Sequence, residues 1–195
     1  MGYYPVMLDV GQRSVALVGA NREALMKIEG LRAAGAEIDV FDTHLDAPMA
    51  SEIDDQVHFV PHLPHGNDLT GRALVIAAHH DVYVNNAIAG LARDVGVLVN
   101  VVDRPAMSDC IMVSQIRRGD LVIGVSTSAK APGLAQRIRK ALEPLFDDDW
   151  AKRLSVFHET REIIRAGDQG ETRRALIKVE EERAIQAWQE AQRRG

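Results

Sequence analysis

Along the first hundred residues the spacing of apolar positions switches repeatedly between the period of a strand and that of a helix. Ser14 to Val18 (SVALV) is a short apolar run, Gly19 follows it, and Ala24, Leu25, Ile28 and Leu31 recur at helical spacing. This predicts strand, turn and helix. Gly35 suits the end of that helix, and Ile38 to Phe41 (IDVF) form a second strand that ends at Asp42. Such a βαβ unit places its strands parallel, with the first turn facing the ligand crevice. Residues His44 to Thr70 are irregular and rich in Asp, Pro and His around one short strand, Val57 to Val60. Order returns with a buried strand at Ala73 to Ala78, a helix from about Val82 to Val95 and a strand at Val97 to Val102. This alternation predicts a parallel sheet. Another apolar run, Leu121 to Val125, precedes a helix marked by Leu134, Ile138, Leu142 and Leu145. From Trp150 the pattern is helical, broken once at Gly167 to Gly170, which predicts a small C-terminal α domain of about two helices.

Composition narrows the function. With 195 residues and 46% hydrophobic content, the chain suits one domain with a smaller one appended. A net charge of −5 argues against a nucleic-acid partner. The single cysteine, Cys110, excludes a disulfide framework and a thiolate metal site, so a reduced, cytoplasmic setting is expected. The N-terminus lacks a basic leader and no segment approaches the ~20 apolar residues of a membrane span, so neither export nor membrane association is expected. His58, His62 and His65 interleave with prolines and suit a solvated loop. His79 and His80 are adjacent, so in an extended chain they point to opposite sides and do not share a metal; one of them facing the crevice would assist proton transfer or metal delivery. No resident metal is expected.

The first turn reads Val18-Gly19-Ala20-Asn21-Arg22-Glu23-Ala24. Against G-x-G-x-x-G/A, the first glycine and the small final residue match, while Asn21 stands at the middle glycine. Asparagine tolerates positive φ, so the turn survives, but its side chain would crowd a phosphate. Asp42, roughly 20 residues on, is placed to bond an adenosine ribose and favours NAD over NADP. Gly19 as a plain βα turn and Asp42 as a strand terminus is the alternative.

Tyr4-Pro5-Val6-Met7-Leu8, the turn, Ala34-Gly35-Ala36, Val84-Asn85, Asn100-Val101-Val102-Asp103, Arg118-Gly119 and Ser126-Thr127 with Pro132-Gly133-Leu134-Ala135 occur in a specific order. In that ordered set the chain resembles the precorrin-2 dehydrogenase/sirohydrochlorin ferrochelatase family of siroheme biosynthesis, over residues 3 to about 145. The resemblance implies a Rossmann-like parallel-sheet domain (1–112), a dimerisation segment (113–147) and a helical C-terminal domain (148–195), working as a homodimer. It implies Asp103 as the catalytic acid/base, serving NAD-dependent dehydrogenation of precorrin-2 to sirohydrochlorin and Fe²⁺ insertion into the product. Carried over residue by residue, the NAD site comprises Gly19, Ala20, Asn21, Arg22, Glu23, Asp42, Thr43, His44, Ala78 and His79. Because the tetrapyrrole substrate carries eight carboxylates, its site should be cationic. Arg104, Arg118 and Lys130, with Ser126 and Ser128, are the candidates. Three departures cluster at this site: Asn21, Ala-His-His-Asp at Ala78 to Asp81 where the family carries Ala-Thr-Asp-Asp, and Ala131 where it carries Ser. They keep open a chelatase, or a non-catalytic tetrapyrrole- or metal-binding homologue that has lost the NAD-dependent step, and also a nucleotide-sensing module.

Overall fold

A computed structural model of the chain describes residues 2–167 and 170–194, in two compact units, Met1–Met112 and Val113–Gly195. The first unit runs β1 (Ser14–Val18), α1 (Arg22–Ala33), β2 (Glu37–Phe41), α2 (Ala47–Ala50), β3 (Val57–Val60), α3 (Gly66–Leu69), β4 (Leu74–Ala77), α4 (Val82–Asp94) and β5 (Val99–Val101). Its five strands are all parallel, in the order β3-β2-β1-β4-β5. This is the Rossmann-like α/β fold expected from the sequence.

The apolar runs are continuous because both faces of the sheet are covered. Val15, Leu17, Ile38, Val40, Leu74 and Ile76 pack on one side against Ala24, Ile28 and Leu31 of α1. Ala16, Val18, Val75, Ala77, Val99 and Val101 pack on the other against Ile88, Ala89 and Ala92 of α4. Helix α1 ends where Gly35 turns left-handed (φ +75), with Gly35 N–H and Ala36 N–H donating to the Arg32 and Leu31 carbonyls. The free edge of β5 is closed by the segment behind it: Val101 N–H donates to Ser108 Oγ (2.9 Å), Val99 N–H to Asp109 Oδ2 (3.2 Å), and Asn100 Nδ2 to the Cys110 carbonyl (2.9 Å). Burial, reinforced by Asp109, pushes the Cys110 thiol above its ordinary value, which keeps it a poor nucleophile.

The second unit holds an antiparallel hairpin, β6 (Ser114–Arg118) and β7 (Leu121–Val125), followed by α5 (Pro132–Leu142), α6 (Asp149–Gly167) and α7 (Gly170–Arg194). Strand β6 is an addition to the sequence reading, which contained only the β7 run. Ile116 alone in it is fully buried, so period-two apolar signal is nearly absent; the Gly119-Asp120 turn was the available cue. Of the anticipated break between the last helices, Asp168 and Gln169 lie outside the described residues. Phe146, Trp150 and Trp188 form an aromatic cluster with ring centroids 5.4 to 5.9 Å apart, and Trp188 Nε1 donates to the Leu145 carbonyl (2.8 Å). Among the described residues no helix is long and apolar enough to cross a membrane.

Candidate functional site

The strand order reverses between β1 and β4, and in open α/β sheets ligands bind at the carboxyl ends of the strands at such a switch. The register sets Val18 beside Ala77, and Ala77 beside Val101, so Gly19, Ala78 and Val102 leave the sheet at one edge. A cavity of about 330 Å³ opens there, lined by Asn21, Arg22, Glu23, Ala78, His79, His80, Asn85, Val102 and Asp103.

Gly19 permits the close passage of β1 and β4. At φ +116, a Cβ on it would stand 2.7 Å from the Ala78 carbonyl oxygen. The next residues are tied down by side chains. Asp42, only 6% exposed, accepts the Ala20 N–H on Oδ2 (2.8 Å) and the His44 N–H on Oδ1 (3.2 Å). Asn21 caps α1, its Oδ1 accepting from Glu23 N (2.9 Å) and Ala24 N (3.2 Å), while its Nδ2 donates to the Ala78 carbonyl (2.7 Å). The backbone of Asn21 is extended (φ −127, ψ 179), so the positive φ anticipated for it is corrected: the turn places its left-handed residue at Gly19.

The segment after β4 is clamped as tightly. Asn85, buried in the first turns of α4, accepts the His79 N–H (3.0 Å) and donates to the His79 carbonyl (2.7 Å). His79 Nδ1 accepts the Asp81 N–H (3.0 Å), which assigns the ring proton to Nε2, 3.9 Å from Asp42 Oδ1. The His79 side chain is 7% exposed; His80 is exposed, and the two rings lie 4.1 Å apart. The expectation that these imidazoles point to opposite sides is therefore corrected. It assumed extended strand, but β4 ends at Ala77 and the chain bends before α4.

Asp103 follows β5 in the left-handed region (φ +58), where a non-glycine residue is uncommon and asparagine or aspartate is the tolerated exception. It is exposed, and among the described residues no hydrogen bond or ion pair holds its carboxylate. A free carboxylate, a buried imidazole and a helix N-terminus thus share one cavity at the switch point. That combination suits proton transfer beside a bound anionic ligand.

The family described as "Putative NAD(P)-binding" matches residues 6–114, the whole of this sheet domain. The chain belongs to that NAD(P)-binding family. Siroheme synthase of Nitrosomonas eutropha is 36% identical to it over 148 residues, covering 74% of this chain and 31% of that protein. Siroheme synthase 2 of Aeromonas hydrophila is 32% identical over 202 residues, covering 96% of this chain and 43% of that protein. The chain thus spans less than half the length of these relatives. The solved structure of "SirC, precorrin-2 dehydrogenase" superposes with a TM-score of 0.78 at 23% identity, covering 96% of this chain and all of that one, a likeness of fold. These matches bear out the resemblance to the precorrin-2 dehydrogenase family.

In this NAD(P)-binding domain the sequence-predicted residues Asn21, Arg22, Glu23, Ala78, His79 and Asp103 line one cavity, with Gly19, Ala20 and Asp42 directly behind the turn. Thr43 and His44 follow β2 in exposed positions and do not line the cavity. Arg104 is exposed beside Asp103. The remaining candidates belong to the second unit. There Arg118 Nε donates to the Phe146 carbonyl (2.9 Å) and lies 3.2 Å from an Asp148 carboxylate oxygen, so much of its guanidinium is committed within that unit. Ser126, Ser128 and Lys130 form an exposed loop before α5, in which Ser128 (φ +53) and Ala129 (φ +62) are consecutive left-handed residues.

Asn85 had been noted as part of a motif without a role. Its buried carboxamide now shows one, since both backbone groups of His79 depend on it. Asn85→Leu is expected to destabilise the chain by about 2–3 kcal/mol, because two partly buried backbone groups lose their partner. Urea unfolding measures this.

Proposed function

We propose that the chain catalyses NAD-dependent dehydrogenation of precorrin-2 to sirohydrochlorin. The observation that carries this reading is the placement of Asp103, an unpaired carboxylate at the carboxyl end of β5, in one cavity with the β1 turn and the first turn of α1. The siroheme synthase relatives support the substrate class.

The lining residues fit a dinucleotide. The positive end of α1 and Arg22 would hold the pyrophosphate; a ribose reaching Thr43 and His44 would lie outside the cavity, along the exposed segment after β2. Asp42, expected from the sequence to bond the ribose, is buried and gives both carboxylate oxygens to the Ala20 and His44 N–H groups, so that expectation is corrected: it holds the turn and does not itself discriminate NAD from NADP. Bound NAD⁺ would supply the hydride acceptor. Asp103 takes the proton released as the substrate loses its hydride, so the two hydrogens lost are a hydride and a proton. A homodimer through the 113–147 segment is part of this reading, supported by the apolar residues Val113, Leu134 and Ile138 that this segment exposes.

A second reading, insertion of Fe²⁺ into sirohydrochlorin by the same Asp103 without hydride transfer, is favoured by one observation: Asn21 fills the turn where a phosphate would sit. An anaerobic assay with precorrin-2 and NAD⁺ separates them. One NADH is expected per sirohydrochlorin formed. A folded chain that yields no NADH overturns the dehydrogenase, and metal uptake into sirohydrochlorin by that same chain would establish the second reading.

A further inference from the structure

The third residue of the nucleotide turn is Asn21, and its extended backbone is one any residue adopts. Glycine at this position therefore serves space and not conformation. Here the space is taken. The carboxamide is held at three points, accepting from Glu23 N and Ala24 N and donating to the Ala78 carbonyl, and it lines the cavity. Those two N–H groups are among the donors that a helix's first turn leaves without intrahelical partners, the same donors a phosphate at a helix N-terminus uses. The neighbouring Ala20 N–H is also occupied, by Asp42.

We propose that Asn21 is an internal competitor for the dinucleotide's pyrophosphate and sets the cofactor affinity of this chain. This rests on the dinucleotide reading above. Before a phosphate oxygen can engage the first turn of α1, the Asn21 carboxamide must release Glu23 N and Ala24 N and swing off Ala78. The binding-competent state is thus a fraction of the free chain, and the apparent dissociation constant is raised by that fraction. Glycine at position 21 would leave the turn permanently open at little cost to the helix, since glycine is tolerated at an N-cap. Aspartate would retain the cap acceptor and add a negative charge where the phosphate must come.

The test is calorimetric titration of NAD⁺ and of ADP-ribose, which has the pyrophosphate but no nicotinamide, into the wild-type chain, Asn21→Gly and Asn21→Asp, with circular dichroism to confirm folding. Asn21→Gly should bind both ligands about tenfold more tightly than wild type, and Asn21→Asp about tenfold more weakly. Folded Asn21→Gly that binds no tighter than a binding-competent wild type overturns the proposal and leaves the dinucleotide reading intact. A gain for NAD⁺ but none for ADP-ribose also overturns it, since the relief would then lie away from the pyrophosphate. If neither wild type nor Asn21→Gly binds either ligand, the dinucleotide reading itself fails and the proposal falls with it.

Discussion

An Asp103→Asn chain should turn over precorrin-2 at least about a hundredfold more slowly than wild type, the lower end of what a positioned acid/base contributes, while its stability stays unchanged. The two halves of this expectation come from the same geometry. The Asp103 carboxylate has no hydrogen-bond or ion-pair partner among the described residues, so its removal breaks nothing. Its backbone is left-handed at φ +58, a conformation that asparagine tolerates better than almost any other side chain. Asparagine thus keeps the shape and the fold and removes only the ability to take a proton. Because that proton moves in the transition state and not on binding, the loss should fall on kcat and leave KM near its wild-type value. Alanine would confuse the result, since its Cβ gains nothing locally to offset the strain at positive φ. Steady-state rates beside urea unfolding give both numbers. An unimpaired Asp103→Asn would move the base to the imidazoles of the same cavity, of which His80 is the exposed one.

Much of this fold is legible in the sequence because burial on both faces of a parallel sheet writes uninterrupted apolar runs. Ser14–Val18 and Val57–Val60 were located to the residue, and Leu74–Ala77 lies inside the predicted run. The small hairpin is different. Strand β6 carries Gln115, Arg117 and Arg118 and buries Ile116 alone, so its pairing with β7, and not its own pattern, makes it a strand. The site divides in the same way. Which residues reach the edge follows from strand ends, and the turn is legible from those; Asp103 and His79 are site residues by the family resemblance, and their places after β5 and β4 agree with it. What those residues do there depends on bonds between segments distant in the chain: Asn21 to Ala78, Asp42 to Ala20, Asn85 to His79. No local pattern encodes such pairs. The motif attaches both positive φ and crowding of a phosphate to the third turn position; the structure shows that position extended, so of the two only the demand for room remains.

Gly19→Ala should cost about 3 kcal/mol or more, because strain at positive φ and overpacking combine. The added Cβ would meet three backbone atoms at once: the Ala78 oxygen at 2.7 Å, the Ala78 carbon at 2.8 Å and the His79 nitrogen at 2.9 Å. Backbone cannot rotate aside as a side chain would. Both segments are also pinned by the sheet, Gly19 N–H donating to the Phe41 carbonyl and Ala78 N–H to the Val18 carbonyl, each at 2.8 Å. Gly90 supplies the contrast within the same domain. It lies exposed inside α4 with nothing within 4 Å of its missing Cβ, and Gly90→Ala should stabilise by about 1 kcal/mol through helix propensity. Urea midpoints for the pair compare one chemical change in two settings, so a difference in sign isolates the close passage of β1 and β4 as the cause. A Gly19→Ala chain as stable as wild type would mean that these strand ends can part. Asn21 would then have a yielding Ala78 to hold, and its hold on the phosphate position would be correspondingly weak.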